Sequence, residues 1–363
     1  MKVLFITFDN KDGFTGGNVG SKRNLDSVQD TFGQDNVIVY KICRKVSDKK
    51  FAKIKNLFQD ICNFSFAGLD RIQKKEIYFL ISNNSHINIV FLDSSLLGIL
   101  SRSLRKRFKG IKIVTFFHNI EYRFFKQEIV LNKKIFLSYR VFFAYINELI
   151  ACKNSNKIIC LNQRDCDFIY KYYKRYPDAQ IPVSMKDRFI LPDYEHKDEI
   201  GNKKVALFVG SFFFPNIHGI KWFIENILPE VDIQLFIVGN GMNKISEYVK
   251  INNKVLIFDN VPDLAPFYNK AHFMVLPIFK GAGMKIKTAE ALMYGKYILA
   301  TDEAFTGYEI SEEVGQRCNN APDFIYAINN LKTQSTFNVA SRELFLRKYV
   351  YHSTLALFKK ALI

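Results

Sequence analysis

Several features are missing from this sequence of 363 residues, and each absence removes a class of protein. No run reaches the roughly 18 uncharged apolar residues of a membrane-spanning helix. Phe136 to Cys152 comes nearest, but Arg140 and Glu148 interrupt it, and it reads as a buried helix. The apolar run from Met1 to Phe8 stops at Asp9, too short for a secretory leader and without a cleavage signal. The cysteines (Cys43, Cys62, Cys152, Cys160, Cys166 and Cys318) form no C-x-x-C pair and have no zinc spacing. Scattered free thiols fit a reducing, cytoplasmic compartment. Internal repeats, low-complexity tracts and recognisable nucleic-acid modules are also missing, so no nucleic-acid partner is expected.

What is present suits two globular cores. Hydrophobic residues make up 48% of the chain and charged residues 24%, over a length that exceeds one ordinary core. The formal charge of +17, from 52 Lys+Arg against 35 Asp+Glu, reads either as solubility and compositional bias or as attraction to an anionic partner (nucleic acid, a phospholipid surface or a diphosphate-bearing substrate), and charge alone does not choose among them. Unalternated apolar runs at Lys2–Phe8, Val37–Ile42, Ile87–Leu92, Lys112–Phe117 and Lys157–Leu161 predict buried strands of a parallel sheet. A second set follows at Val205–Val209, Gln234–Val238, Val255–Phe258, Phe273–Leu276 and Tyr297–Ala300, with helical patterns at Ile217–Ile227 and Lys287–Tyr294. The proline-marked, charged stretch 178–204 reads as a linker. The chain thus divides into an N-terminal domain over 1–190, a second over 191–340, and a helical tail over 341–363 expected to pack back toward the first. Two open sheets joined in this way are expected to face each other across a cleft, with ligands at the carboxyl ends of the strands.

Three segments at those strand ends carry chemistry. After the strand ending at Pro277, Gly281-Ala282-Gly283-Met284 leads into a helix bearing Lys285, Lys287 and Glu290 and ending at Gly295. Glycine lets backbone N–H groups approach a ligand, the helix N-terminus carries partial positive charge, and two lysines add cations; together they predict a diphosphate site. Glu290 would accept hydrogen bonds from ribose hydroxyls. The loop Gly16-Gly17-Asn18-Val19-Gly20, before a helix from about Ser21, offers amides to a phosphate or sugar hydroxyl, although its spacing is not the dinucleotide G-x-G-x-x-G. Thr115-Phe-Phe-His118-Asn119-Ile-Glu121 puts a histidine just past a buried strand, where Glu121 would order the loop or pair with Arg123. Asp93 ends another strand and would contact an acceptor or cap a helix with Ser94.

The order of these motifs resembles glycosyltransferase family 4. The segment from Lys285 to Thr301 is similar to the donor-site motif of that family. Phe208-Val-Gly210-Ser211, Pro215-Asn216, Trp222 to Pro229, Ile237-Val-Gly239-Asn-Gly241, Val261-Pro-Asp263 and Ala271 to Pro277 follow its order, and His118-Asn119-x-Glu121 recurs at the same place in its N-terminal domain. The resemblance implies the GT-B fold: α/β, two Rossmann-like domains. It implies a retaining, hexosyltransferase-type enzyme of bacterial capsule, lipopolysaccharide or other surface-glycan synthesis. The donor would be a nucleotide-diphosphate sugar, the acceptor a glycan or lipid-linked glycan. Gly17, Gly210, Ser211, Asn216, Gly239, Gly281, Ala282, Gly283, Met284, Lys285, Lys287 and Glu290 would bind the donor. Gly16, Asn18, Asp93, His118, Asn119 and Glu121 would meet the acceptor, with His118, Lys287 and Glu290 catalytic.

Two departures stand out. The family often has a second glutamate eight positions before Glu290, where this chain has Ala282; and Ser211–Ile220 lacks the early cations common in relatives. Both turn attention to Lys285 and Lys287 as the diphosphate cations. No Asp-x-Asp pair reads as one of the metal-dependent transferase type, so no metal and no cofactor are expected. Apolar positions 51, 54, 57, 58, 61 and 64 behind Lys49, Lys50, Lys53 and Lys55 predict an amphipathic helix suited to peripheral contact with the cytoplasmic membrane face. The same fold would also serve a nucleotide-sugar epimerase or a non-catalytic partner subunit.

Overall fold

A computed structural model describes residues 1–9, 16–43, 69–133, 135–190, 203–250, 252–331 and 335–363. The amphipathic helix expected over 51–66, Cys62 and residues 191–202 of the expected linker lie outside the described residues. Contacts cluster the chain into two units, Met1–Pro182 with Thr354–Ile363, and Val183–Ser353.

The N-terminal unit is a parallel sheet of β1 (Lys2–Phe8), β2 (Val37–Ile42), β3 (Ile87–Leu92), β4 (Lys112–Phe116), β5 (Lys157–Cys160) and β6 (Ala179–Gln180), in the order β2-β1-β3-β4-β5-β6. Strands that bury both faces read as continuous apolar runs, and β1 and β3 do so with Val3, Leu4, Phe5, Ile6, Val90, Phe91 and Leu92 all buried. The two-residue β6 falls inside the stretch expected to be linker and corrects that boundary. The strand order reverses between β1 and β3, which makes the carboxyl ends of those strands the ligand edge.

The helix expected from Ser21 begins five residues earlier and spans Gly16–Phe32, so the glycines form its first turn rather than a loop before it. The run from Phe136 is only half buried. Within the helix Ser138–Asn154, Phe143, Ala144, Asn147, Glu148, Ala151 and Cys152 are buried, whereas Phe136 and Phe142 are exposed. The expected buried helix therefore holds for the second half alone, which packs beside Gly98–Arg107.

The second unit repeats the plan with β7 (Lys204–Val209), β8 (Ile233–Val238), β9 (Val255–Phe258), β10 (Phe273–Leu276), β11 (Tyr297–Ala300) and β12 (Gly315–Arg317), all parallel, in the order β12-β11-β10-β7-β8-β9. The reversal lies between β7 and β10. Helix Phe214–Asn226 follows β7 with Pro215 in its first turn, and helix Ile286–Met293 follows β10. Gly295, at φ +58°, ends the latter; a side chain there would also strike the Phe337 ring.

At the C-terminus, helix Tyr351–Leu362 carries its last residues into the N-terminal unit. Phe358 stacks on Phe116 at 6.2 Å, Arg23 lies over both rings, and Lys112 and Lys157 donate to the carbonyls of Leu362 and Ala361.

Candidate active site

In the second unit the predicted residues converge where the strand order reverses. Gly210 follows β7, and a Cβ on it would lie 2.7 Å from Lys287 Nζ, so only glycine leaves that ammonium its place. Lys287 Nζ donates to Asn216 Oδ1 at 2.7 Å and sits 4.6 Å from the centre of the Phe208 ring. Asn216 Nδ2 in turn donates to the Ser211 carbonyl, which ties the loop after β7 to the helix after β10. Gly239, at φ +149°, abuts the Gly210 carbonyl from β8. Gly210, Ser211, Asn216, Gly239 and Lys287 thus form one cluster at the carboxyl ends of β7, β8 and β10.

Burial sets the electrostatics of this cluster. Desolvation lowers the Lys287 pKa to about 7; Glu290 opposes the shift and Lys285 adds to it. Desolvation raises the Glu290 carboxyl above its ordinary range, opposed by Arg188 and Lys287. Arg188 Nη2 stands 3.6 Å from Glu290 Oε1. Sequence reasoning missed Arg188, because it lies 102 positions from its partner and meets it only through tertiary structure.

Lys285 corrects the expectation of two diphosphate cations. Its Nζ donates to Glu303 at 2.7 Å and to the carbonyls of Ala282 and Gly283, so its charge is spent inside the loop. Tyr308 OH donates to the Lys285 carbonyl. Gly281 and Gly283, at φ +147° and +60°, give the loop a path that other residues would strain to follow. Glu303 also lies beside Gly281, where a Cβ would be 3.7 Å from its Oε1, so a carboxylate reaches this loop although position 282 has none. Met284 is buried and holds the loop down as an apolar plug.

The N-terminal unit builds a second cluster, again at its reversal. Asp93 was expected to touch an acceptor or cap a helix. Ser94 provides the cap, through Leu96 N, and Asp93 is buried at the hub of a network. Asp93 Oδ1 faces His118 Nε2 at 2.9 Å and accepts from Asn24 Nδ2 at 2.7 Å, while Oδ2 accepts from Thr7 Oγ1 at 3.0 Å. A carboxylate there favours the tautomer with hydrogen on Nε2 and turns Nδ1 away. Gly20 sits against that edge, its hypothetical Cβ 3.1 Å from His118 Nδ1, which explains the third glycine of the Gly16 loop. Arg23, the last residue of that motif, is buried between aromatic rings with Nη1 donating to the Pro182 carbonyl.

The loop after His118 is anchored from beneath. Helix Glu121–Asn132 starts without a side-chain cap of its own. Glu148 replaces it, accepting from Glu121 N at 2.7 Å, Tyr122 N at 3.2 Å, Ser95 Oγ at 3.2 Å and Tyr173 OH at 2.5 Å. Burial pushes the Glu148 carboxyl up to about 8, with Tyr173 opposing. Glu121 accepts from Asn119 Nδ2, so it orders the loop by hydrogen bonding, and Arg123 lies flat over the Phe168 ring. The chain contains one Asp-x-Asp triplet, Asp165-Cys166-Asp167. It lies in the first turn of helix Gln163–Tyr173, where Asp165 bonds its N-cap Asn162 and Asp167 accepts from Gln163.

Comparison with known proteins agrees with this geometry. Residues 203–334 match the family model described as Glycosyl transferases group 1. A Klebsiella pneumoniae protein, described as an uncharacterized 44.6 kDa protein in the cps region, is 25% identical over 288 residues, covering 72% of this chain and 69% of that protein. Among solved structures, Anabaena HepE in complex with UDP-glucose is similar with a TM-score of 0.66 at 11% identity, covering 99% of each chain. A glycosyltransferase from Rickettsia africae has a TM-score of 0.62 at 15% identity, covering 99% of this chain and 97% of that one. The fold is GT-B, and the domain match supports a nucleotide-sugar glycosyltransferase.

Proposed function

We propose that the chain is a metal-independent, retaining glycosyltransferase that moves a sugar from a nucleotide-diphosphate donor to a glycan or lipid-linked acceptor in capsule or related surface-glycan synthesis, at the cytoplasmic face. The observation that carries this reading is Lys287, an ammonium held over Gly210 by Asn216 at the strand-order reversal of the second unit.

An incoming diphosphate meets Lys287 and the N-terminal end of helix Ile286–Met293, which has no side-chain cap. These groups take up the charge that develops on the leaving nucleotide, the task a divalent cation performs in other transferases. Glu290 accepts from the ribose hydroxyls, with Arg188 opposing the desolvation that raises its carboxyl. The Gly281–Met284 loop, braced by Lys285 and Glu303, lines the sugar. At the N-terminal unit His118, fixed by Asp93, addresses the acceptor or the transferred sugar, with Asn119, Glu121 and the Gly16–Asn18 turn beside it. Removing one well-placed donor to developing charge costs about 10²–10³ in rate. Capsule synthesis as the setting takes support from the similar Klebsiella protein of the cps region.

A thermal-shift screen of UDP-, GDP-, ADP- and dTDP-sugars tests the reading, because a ligand that binds only the folded state stabilises it. One nucleotide family is expected to raise Tm with EDTA present, and the bound sugar to be consumed only when an acceptor extract is added. No shift with any nucleotide sugar would contradict the proposal. Conversion of the donor without acceptor would assign an epimerase.

A further inference from the structure

Helices Glu121–Asn132 and Ser138–Asn154 form a hairpin whose tip is left uncovered by the other described residues. Val130, Ile135, Phe136 and Phe142 are 69%, 77%, 74% and 54% exposed. By length and composition Ile135–Asn154 could cross a bilayer, but its second half is committed to the N-terminal unit. Asn147 Oδ1 accepts from Ile99 N, Glu148 is buried among four donors, and a Cβ on Gly98 would fall 1.8 Å from the Asn147 carbonyl oxygen. The apolar excess is thus confined to the tip, at the depth of an interfacial rather than a spanning contact.

Charge names the occupant. From Glu121 to Asn154 the sequence holds Arg123, Lys126, Lys133, Lys134, Arg140 and Lys153 against Glu121, Glu128 and Glu148, and Glu121 is bonded to Asn119 at the far end from the tip. Glu148 is internal, and Glu128 is neutralised by Arg140 at 2.9 Å. Lys126 and Lys133 are exposed beside the apolar side chains. A second copy would bring the same cations together; an anionic bilayer satisfies both the apolar tip and its lysines.

We propose that this tip docks the protein on an anionic lipid surface. Glu121 N is pinned to Glu148 next to the His118 loop, so the hairpin rises from the edge that bears Asp93 and His118. A helix of 12 residues is about 18 Å long, so docking at the tip holds that edge within about 18 Å of the lipid headgroups. The use of that distance for a lipid-linked acceptor rests on the transferase reading; the docking does not.

Flotation with phosphatidylcholine vesicles, with and without phosphatidylglycerol, tests it on the full chain, comparing wild type with the double variant I135D/F136D and with Phe79→Asp, which alters an exposed phenylalanine on helix Arg71–Asn83. Wild type and Phe79→Asp are expected to float with the anionic vesicles. The double variant is expected to bind at least about tenfold more weakly, since both inserted apolar side chains are lost. Circular dichroism and an unchanged unfolding midpoint confirm that the variant is folded, independently of any donor. Three results would overturn the proposal: no flotation of wild type with anionic vesicles, equal flotation of the double variant, or a wild-type dimer that the double variant dissolves.

Discussion

Lys287 is the residue on which the proposed function turns, and its titration gives a signed expectation. Burial holds its pKa at about 7, against an ordinary 10.5. Between those values the unfolded chain keeps a proton that the folded chain has shed, so this residue's contribution to stability rises with pH across that window. Ligand binding runs the other way. A diphosphate beside Nζ favours the charged form and raises its pKa, so above about pH 7 binding must take up a proton. Affinity for the nucleoside diphosphate is expected to fall from pH 7.5 to 9.5, by up to about tenfold per unit, well above the ~6 at which a terminal phosphate gains its second charge. Calorimetry in buffers of different ionisation heat checks this: proton uptake near one per site at pH 8.5 is expected, and none for Lys287→Met. A flat pH profile would separate Lys287 from the ligand. Sequence could nominate Lys287 and Lys285 equally. It could not tell them apart, because Glu303, which consumes the charge of Lys285, lies 18 positions away. Asp93 was undervalued for the same reason: its partners Thr7, Asn24 and His118 meet only through tertiary structure.

The elements were more legible than the residues. The ten strands read from the sequence are present within a residue or so at each end, because strands buried on both faces leave continuous apolar runs. The two missed, β6 and β12, have two and three residues and are too short to make a pattern. The half-exposed helix at Ser138–Asn154 misled because its apolar content is nearly uniform, and composition alone does not say which half meets the core. Contacts between elements carry their own prediction. On helix Phe214–Asn226, a Cβ on Gly219 would lie 1.9 Å from the Pro277 carbonyl oxygen, where the chain leaves β10 for the Gly281 loop. Gly219→Ala must push the two apart, and such overpacking costs about 1–3 kcal/mol. Urea unfolding is expected to show that loss, accompanied by weaker nucleotide binding; a wild-type midpoint and affinity would mean that this contact does not set the loop.

At the scale of the whole molecule, two parallel sheets each bring their candidate residues to the point where strand order reverses. That duplication explains why a pattern of strands and glycines forecast the site's place, while its wiring had to be seen. It also divides the labour under the proposed function: Lys287, Asn216 and Glu290, proposed to recognise the nucleotide, belong to the second unit, and the Asp93–His118 cluster to the first. The measurement that tests this account most directly is calorimetric titration, with EDTA present, of the nucleoside diphosphate that screens best into wild type, Lys287→Met and Asp93→Ala. The account predicts binding by wild type without a divalent ion, affinity at least about tenfold weaker for Lys287→Met, as losing a charged hydrogen bond of roughly 1.5–3 kcal/mol implies, and wild-type affinity for Asp93→Ala. Undiminished affinity in Lys287→Met, or binding by wild type only when a divalent cation is restored, would contradict it.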